Sequence, residues 1–171
     1  MGRLVVTDTS FSTGQAGLGI QGYRTDQFDN LSITPGAGGS GGIGTGPVTS
    51  TLNTTKCLDD YQASTTAGAV VDIWDCNNSP AQQWTVGNNA VTINGLCLDV
   101  VGAAIANGSA VGLWNCNGQG NQQWTVTNGA LVNAASGRCL DIPASNMANG
   151  TVLAIWDCNN GANQKWNIPA P

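Results

Sequence analysis

Three copies of one cysteine and tryptophan pattern leave this chain few ways to fold. The first copy reads Cys57-Leu58-Asp59, then Trp74-Asp75-Cys76-Asn77 and Gln82-Gln83-Trp84. The second reads Cys97-Leu98-Asp99, Trp114-Asn115-Cys116-Asn117 and Gln122-Gln123-Trp124. The third reads Cys139-Leu140-Asp141, Trp156-Asp157-Cys158-Asn159 and Gln164-Lys165-Trp166. All six cysteines and all six tryptophans of the chain fall inside these copies. The period is 40 to 42 residues, so the fold must be one that stacks or closes three like units.

Composition sets the class of structure. Gly is abundant, all ten acids are Asp, and Glu is absent, a mix that disfavours long helices. Val, Ile and Thr with frequent Asn-Gly turns favour short strands. A net charge of −5 without a basic stripe argues against nucleic acid, because phosphate neutralisation needs clustered cations. There is no apolar run long enough to cross a membrane as a helix.

The cysteines read as a disulfide framework made in an oxidising compartment. Zinc is the rival, but no copy offers a Cys-x2-Cys pair and the chain has no His, so no metal or cofactor is expected. Six cysteines allow fifteen connectivities. Each copy spaces its two by nineteen residues, Cys57 to Cys76, Cys97 to Cys116 and Cys139 to Cys158, which favours one closed loop per copy.

Residues 1–34 stand outside the repeats. Arg3-Leu4-Val5-Val6-Thr7 and Phe28-Asp29-Asn30-Leu31-Ser32-Ile33 alternate like strands, around the turn-rich Gly14-Gln15-Ala16-Gly17-Leu18-Gly19-Ile20. Two strands alone bury too little to be stable, so the segment is expected to be the end of an upstream β-sandwich, the alternative being a disordered or loosely packed arm. The Gly-Leu-Gly turn before Phe-Asp-Asn-Leu resembles the last strands of jelly-roll modules in galactocerebrosidase-like glycoside hydrolases. No signal peptide is evident, and the natural start is expected upstream. Residues 35–50, rich in Gly, are expected to be a flexible linker.

Residues 51–171 carry the copies, at about 51–94, 95–134 and 135–171. In the first, strands are expected near Lys56–Asp60, Val70–Asp75, Gln83–Val86 and Ala90–Ile93, giving twelve over the three copies. The triple Gln-x-Trp, with Cys-Leu-Asp at constant distance upstream, resembles the ricin B-type lectins, also called family 13 carbohydrate-binding modules. That resemblance implies an all-β fold, a β-trefoil of three pseudo-symmetric repeats with up to three sugar sites.

The spacing suggests a site of its own. If Cys57 stands opposite Cys76 in an antiparallel pair, Asp59 stands opposite Trp74, and the other copies repeat this for Asp99 with Trp114 and Asp141 with Trp156. Leu58 and Ile73 then point to the core. A carboxylate can accept two charge-assisted bonds from neighbouring hydroxyls while an indole covers the apolar face of a pyranose ring. The resemblance implies ligand sets of Asp141, Trp156, Asn159, Asn163 and Gln164 in the third copy, and Asp99, Trp114, Asn117, Asn121 and Gln122 in the second. In the first they are Asp59, Trp74, Asn77 and Gln82, where Ala81 replaces the Asn before Gln. The first site is therefore expected to bind more weakly or not at all.

Other aromatic and acidic residues are given blander roles. Trp84, Trp124 and Trp166 are expected in the core. Asp60, Asp72, Asp75 and Asp157 lack counterparts in every copy and read as solvated surface. A Ser-His-Asp system is excluded by the absence of His, and each copy offers only one acid to its site, so the chain is expected to be non-catalytic. The reading is a secreted, monomeric carbohydrate-binding module, directing a glycoside hydrolase to galactosides, xylan or arabinogalactan-type glycans. The alternatives are a fragment of such an enzyme, or a trefoil used for protein contacts.

Overall fold

The computed structural model describes residues 43–171. The expectations for residues 1–34, and for the linker up to residue 42, lie outside the described residues. The strands are β1 Gly44–Gly46, β2 Thr49–Ser50, β3 Lys56–Asp60, β4 Val71–Asp75, β5 Trp84–Gly87, β6 Ala90–Ile93 and β7 Leu96–Val100. They continue as β8 Val111–Asn115, β9 Trp124–Thr127, β10 Ala130–Asn133, β11 Cys139–Asp141, β12 Thr151–Val152, β13 Ala154–Trp156 and β14 Trp166–Asn167. All named strand pairings among the described residues are antiparallel.

The copies close on one another in a ring. Val70 bridges Gly112, Ala110 bridges Ala154, and β12 pairs with β4, so copy one meets two, two meets three and three meets one. Copy three ends in β14 without a fourth strand of its own. The missing strand comes from the other end of the repeats: β2 pairs with both β14 and β3, and β1 pairs with β5. This corrects the expected linker boundary at residue 50. Strand edges left by copy three need partners for their backbone groups, and residues 44–50 supply them. Val48, within this segment, is fully buried.

Each copy contributes the same residues to the core. Leu58, Leu98 and Leu140 come from the Cys-Leu-Asp strands; Ile73, Leu113 and Ile155 precede the exposed tryptophans. Trp84, Trp124 and Trp166 are at most 2% exposed, as expected from their apolar strands. Burying an indole N–H requires an acceptor. It is the carbonyl of the Cys-Leu-Asp leucine each time, Leu58 at 2.9 Å, Leu98 at 2.9 Å and Leu140 at 3.2 Å. The three disulfides join Cys57 to Cys76, Cys97 to Cys116 and Cys139 to Cys158.

Candidate functional site

The acid and the exposed indole of each copy lie on one sheet face, but in a different register from the one the spacing suggests. Trp74 stands opposite Cys57, and Asp59 opposite Asp72. In the second copy the pairs are Cys97 with Trp114 and Asp99 with Gly112; in the third, Cys139 with Trp156 and Asp141 with Ala154. The disulfide misleads here. The second cysteine lies just past its strand, and a bridge with a Cα–Cα distance of 5.1 Å is satisfied without direct opposition. The shift is two residues, so side-chain parity is kept and acid and indole still share a face, as diagonal neighbours.

The three indoles face outward. Trp74, Trp114 and Trp156 are 39%, 50% and 45% exposed, while the residue before each is in the core. Each indole rests on a glycine of the neighbouring copy. Its edge lies 3.6 to 3.8 Å from where a β-carbon would stand on Gly68 for Trp114, Gly108 for Trp156 and Gly150 for Trp74. These glycines have φ of +94°, +83° and +83°, a region that costs side-chain-bearing residues. Their N–H groups bond Leu113, Ile155 and Ile73, the residues just before the tryptophans. Each indole is thus backed by a second copy, a feature that spacing within one copy cannot reveal. The visible signal was the Asn-Gly pair at 107–108 and 149–150.

Those asparagines clamp adjacent copies. Asn149 accepts from the Asp75 backbone N–H at 3.0 Å and from Lys56 Nζ, and donates to Asp75 Oδ2 at 2.8 Å. Asn107 does the same with the Asp157 N–H, Arg138 Nε and Asp157 Oδ2. The ion pairs Lys56–Asp75 and Arg138–Asp157 complete the two clamps. At the remaining junction the matching residues are Ala67, Leu96 and Asn115, and no such clamp forms. The bonds from Lys56 and Asn149 hold the Asp75 carboxyl below its usual range.

The acids are almost fully enclosed. Asp59, Asp99 and Asp141 are 7%, 6% and 4% exposed. A single 3₁₀ turn before each Gln-x-Trp brings amides onto them. Asp141 Oδ2 accepts from Asn163 Nδ2 and from Gln164 Nε2, both at 2.8 Å. Asp99 Oδ2 accepts from Asn121 at 2.8 Å and Gln122 at 2.9 Å. Asp59 Oδ2 accepts from Gln82 alone at 2.8 Å, because Ala81 offers no amide. Among the described residues, no side chain or backbone group bonds Oδ1 of these three acids. One oxygen is pinned and the other is left to the cleft. Burial raises the pKa of all three, and the amide bonds work against that rise.

The glutamines lie beneath the site rather than beside it. Gln82, Gln122 and Gln164 are 0%, 2% and 1% exposed. Besides the acid, each donates to the backbone carbonyl of Asp75, Asn115 or Asp157 and accepts from the N–H of Asn77, Asn117 or Asn159. With both ends so engaged, each glutamine ties the acid to the loop after the second Cys. Asn77, Asn117 and Asn159 are exposed, each turning its own loop through an Oδ1 bond to the N–H two residues on. Copy three and Gly108 of copy two line a cleft of about 320 Å³, with Asp141, Trp156, Asn159, Asn163, Pro143, Ala144 and Ala154 from copy three. Pro143 and Ala144 were not anticipated from the sequence.

Two acids read as surface are in fact buried. Asp60 is 0% exposed, on the core face of β3, where the other copies carry Val100 and Ile142; its Oδ2 is met by Asn94 Nδ2 at 3.1 Å. Asp72 is 2% exposed and faces Asp59 across the strands, with Val152 on its other side. Strand alternation turns Asp60 inward after Leu58, whereas Asp72, on the opposite face, is enclosed by its two flanking strands. Oδ1 of each lacks a partner. The described cations are engaged elsewhere: Lys56 with Asp75, Arg138 with Asp157, and Lys165 with Asn128 and Asn160. Burial, with repulsion from Asp59 and Asp60, pushes Asp72 up to about 7; burial chiefly moves Asp60 to about 6.

A folded-state pKa above the unfolded value of 3.8 means the native chain holds protons that the unfolded chain releases. Stability is therefore lost as pH rises from about 4 to about 7, and the full loss is present above 7. Replacing Asp72 by Ala, the residue that copy three carries as Ala154, is expected to stabilise the domain at pH 8 by roughly 2 to 4 kcal/mol. The gain should shrink toward pH 4. Urea midpoints of the two proteins across that range measure it; equal midpoints at pH 8 would contradict the burial of an unpaired charge.

A family model described as the ricin-type beta-trefoil lectin domain matches residues 44–166, well over half the chain. The chain belongs to this family. A ricin-type lectin domain is a carbohydrate-binding module, and its matched start at residue 44 coincides with β1. Similar solved structures include the designed threefold-symmetric protein ThreeFoil, at 27% identity and TM-score 0.66, covering 74% of this chain and 99% of that one. A non-toxic homologue of type II RIPs from Momordica charantia (bitter gourd), in complex with α-methyl-D-galactoside, has 28% identity and TM-score 0.64, covering 74% of this chain and 48% of that one. An exo-β-1,3-galactanase from Clostridium thermocellum has 24% identity and TM-score 0.67, covering 75% of this chain. The ricin-type domain here spans only 30% of the galactanase, which shares the fold. No curated protein matches the sequence.

Proposed function

We propose that this domain binds galactose-bearing glycans through the clefts of copies two and three. The observation that carries the reading is the acid with one oxygen pinned by two amides and the other open, beside an outward-facing indole. A fixed, unpaired acceptor suits the diol of a pyranose, and the exposed indole suits its C–H face. The contact set is Asp99, Trp114, Asn117 and Asn121 in copy two, and Asp141, Trp156, Asn159 and Asn163 in copy three. Gln122 and Gln164 position the acids. The bitter gourd protein, with a galactoside in its structure, supports galactose over xylan as the first sugar to test.

Two clefts on one rigid body gain by avidity on a polymer, which suits a module that holds a secreted glycoside hydrolase to its polysaccharide. The galactocerebrosidase-like features of residues 1–34 support that role, and the three disulfides support secretion. We take the domain to be a non-catalytic monomer. The expected result is retention on galactose resin with elution by free galactose. A glycan array carrying galactan, arabinogalactan and xylan ranks the polymers. No binding to any glycan would move the domain to the protein-contact class.

A further inference from the structure

We infer that the copy-one cleft takes an amino sugar in its ammonium form, held between the facing carboxylates of Asp59 and Asp72 beside the Trp74 indole. The inference rests on the lectin reading for the shape of the cleft, and departs from it in the chemistry of the ligand. Two substitutions relative to the other copies carry it. Where Asn121 and Asn163 donate to their acids, copy one has Ala81, so a donor is missing. Where Gly112 and Ala154 stand opposite the acid, copy one has Asp72, so an acceptor is added.

Residues 72, 112 and 154 occupy one position in the ring. Their neighbours in the strands, Val71 and Ile73, Val111 and Leu113, and Leu153 and Ile155, are all core. Alternation therefore sends residue 72 to the cleft face, where Ala154 lines the wall of cleft three. Opposed side chains in such a pair stand roughly 5 Å apart at Cβ, and like charges there repel. Asp72 is 98% enclosed, and no protein group bonds its Oδ1. Two enclosed carboxylates, one with an unpartnered oxygen, thus lie beside an indole 39% exposed, and the described cations are engaged elsewhere. An ammonium group supplies three donors and a charge that both acids and the indole face attract. A metal ion fits less well, since among the described residues no three acidic or other metal-binding side chains are grouped to hold one.

The test isolates cleft one in the full chain by Asp99→Asn with Asp141→Asn. Calorimetric titration at pH 7 with galactosamine, galactose and N-acetylgalactosamine should show galactosamine bound at least tenfold more tightly than either neutral sugar. Adding Asp72→Asn, which keeps the shape and removes the charge, should erase that preference, and Asp72→Ala should do the same. The inference is overturned if galactosamine has no advantage, if the advantage survives both Asp72 variants, or if methylammonium competes as well as the sugar. Galactose binding by the unmodified chain is read in parallel. Its presence with no galactosamine preference in the isolated cleft sinks this inference alone; absence of all sugar binding sinks the lectin reading as well.

Discussion

Asp99→Ala combined with Asp141→Ala removes retention on galactose resin, with affinity falling at least about 100-fold. Each replacement deletes the open acceptor and, with it, bonds to a charged group worth about 1.5 to 3 kcal/mol apiece. The Ala variant also takes one of two acceptors from the amides of Asn121, Gln122, Asn163 and Gln164, each of which keeps only a backbone carbonyl. Stability should fall with it, because buried donors without partners cost about 1 to 3 kcal/mol each. Asp99→Asn with Asp141→Asn separates the two effects. The Asn oxygen can take the pinned bonds while its NH₂ turns to the cleft, so the fold is kept and the acceptor is still lost. Both variants should fail on the resin, and the Asn pair should keep a near-native urea midpoint. Full retention by the folded Asn pair would show that the sugar sits on another face.

Reduction of the three disulfides should bring the domain to the edge of unfolding. Each bridge closes a loop of nineteen residues and is worth about 3 kcal/mol through restriction of the unfolded chain, or about 9 kcal/mol together. Native domains have only about 5 to 15 kcal/mol to lose. Trp84, Trp124 and Trp166 leave the core on unfolding, so their fluorescence follows the urea transition before and after thiol treatment. An unchanged midpoint, or zinc in stoichiometric amount, would overturn the disulfide account. Copy one should be the most sensitive to pH of the three, since Asp60 and Asp72 are both raised there.

The sequence alone determined the number of copies and which tryptophans are core and which are surface, and it favoured the pairing of cysteines within each copy that the structure shows. These are properties of short spans: a period-two strand and a nineteen-residue loop carry their own geometry, so Leu58 points inward and Trp74 outward whatever lies around them. Parity survived even where the register was read two residues off. Tertiary structure decided the rest, because it concerns groups that meet only on closure of the ring. Gly108 lies under Trp156, β2 fills the edge left by copy three, and Asn149 clamps Asp75, each across a copy boundary. Asp60 and Asp72 lack counterparts in the other copies and so look like surface acids, yet the folded strands bury them. The glutamines look like ligands and become supports, since only the folded turn sets Gln164 between Asp141 and the Asn159 backbone. A charge or an amide in a chain has no environment until distant strands enclose it, and that enclosure sets its role.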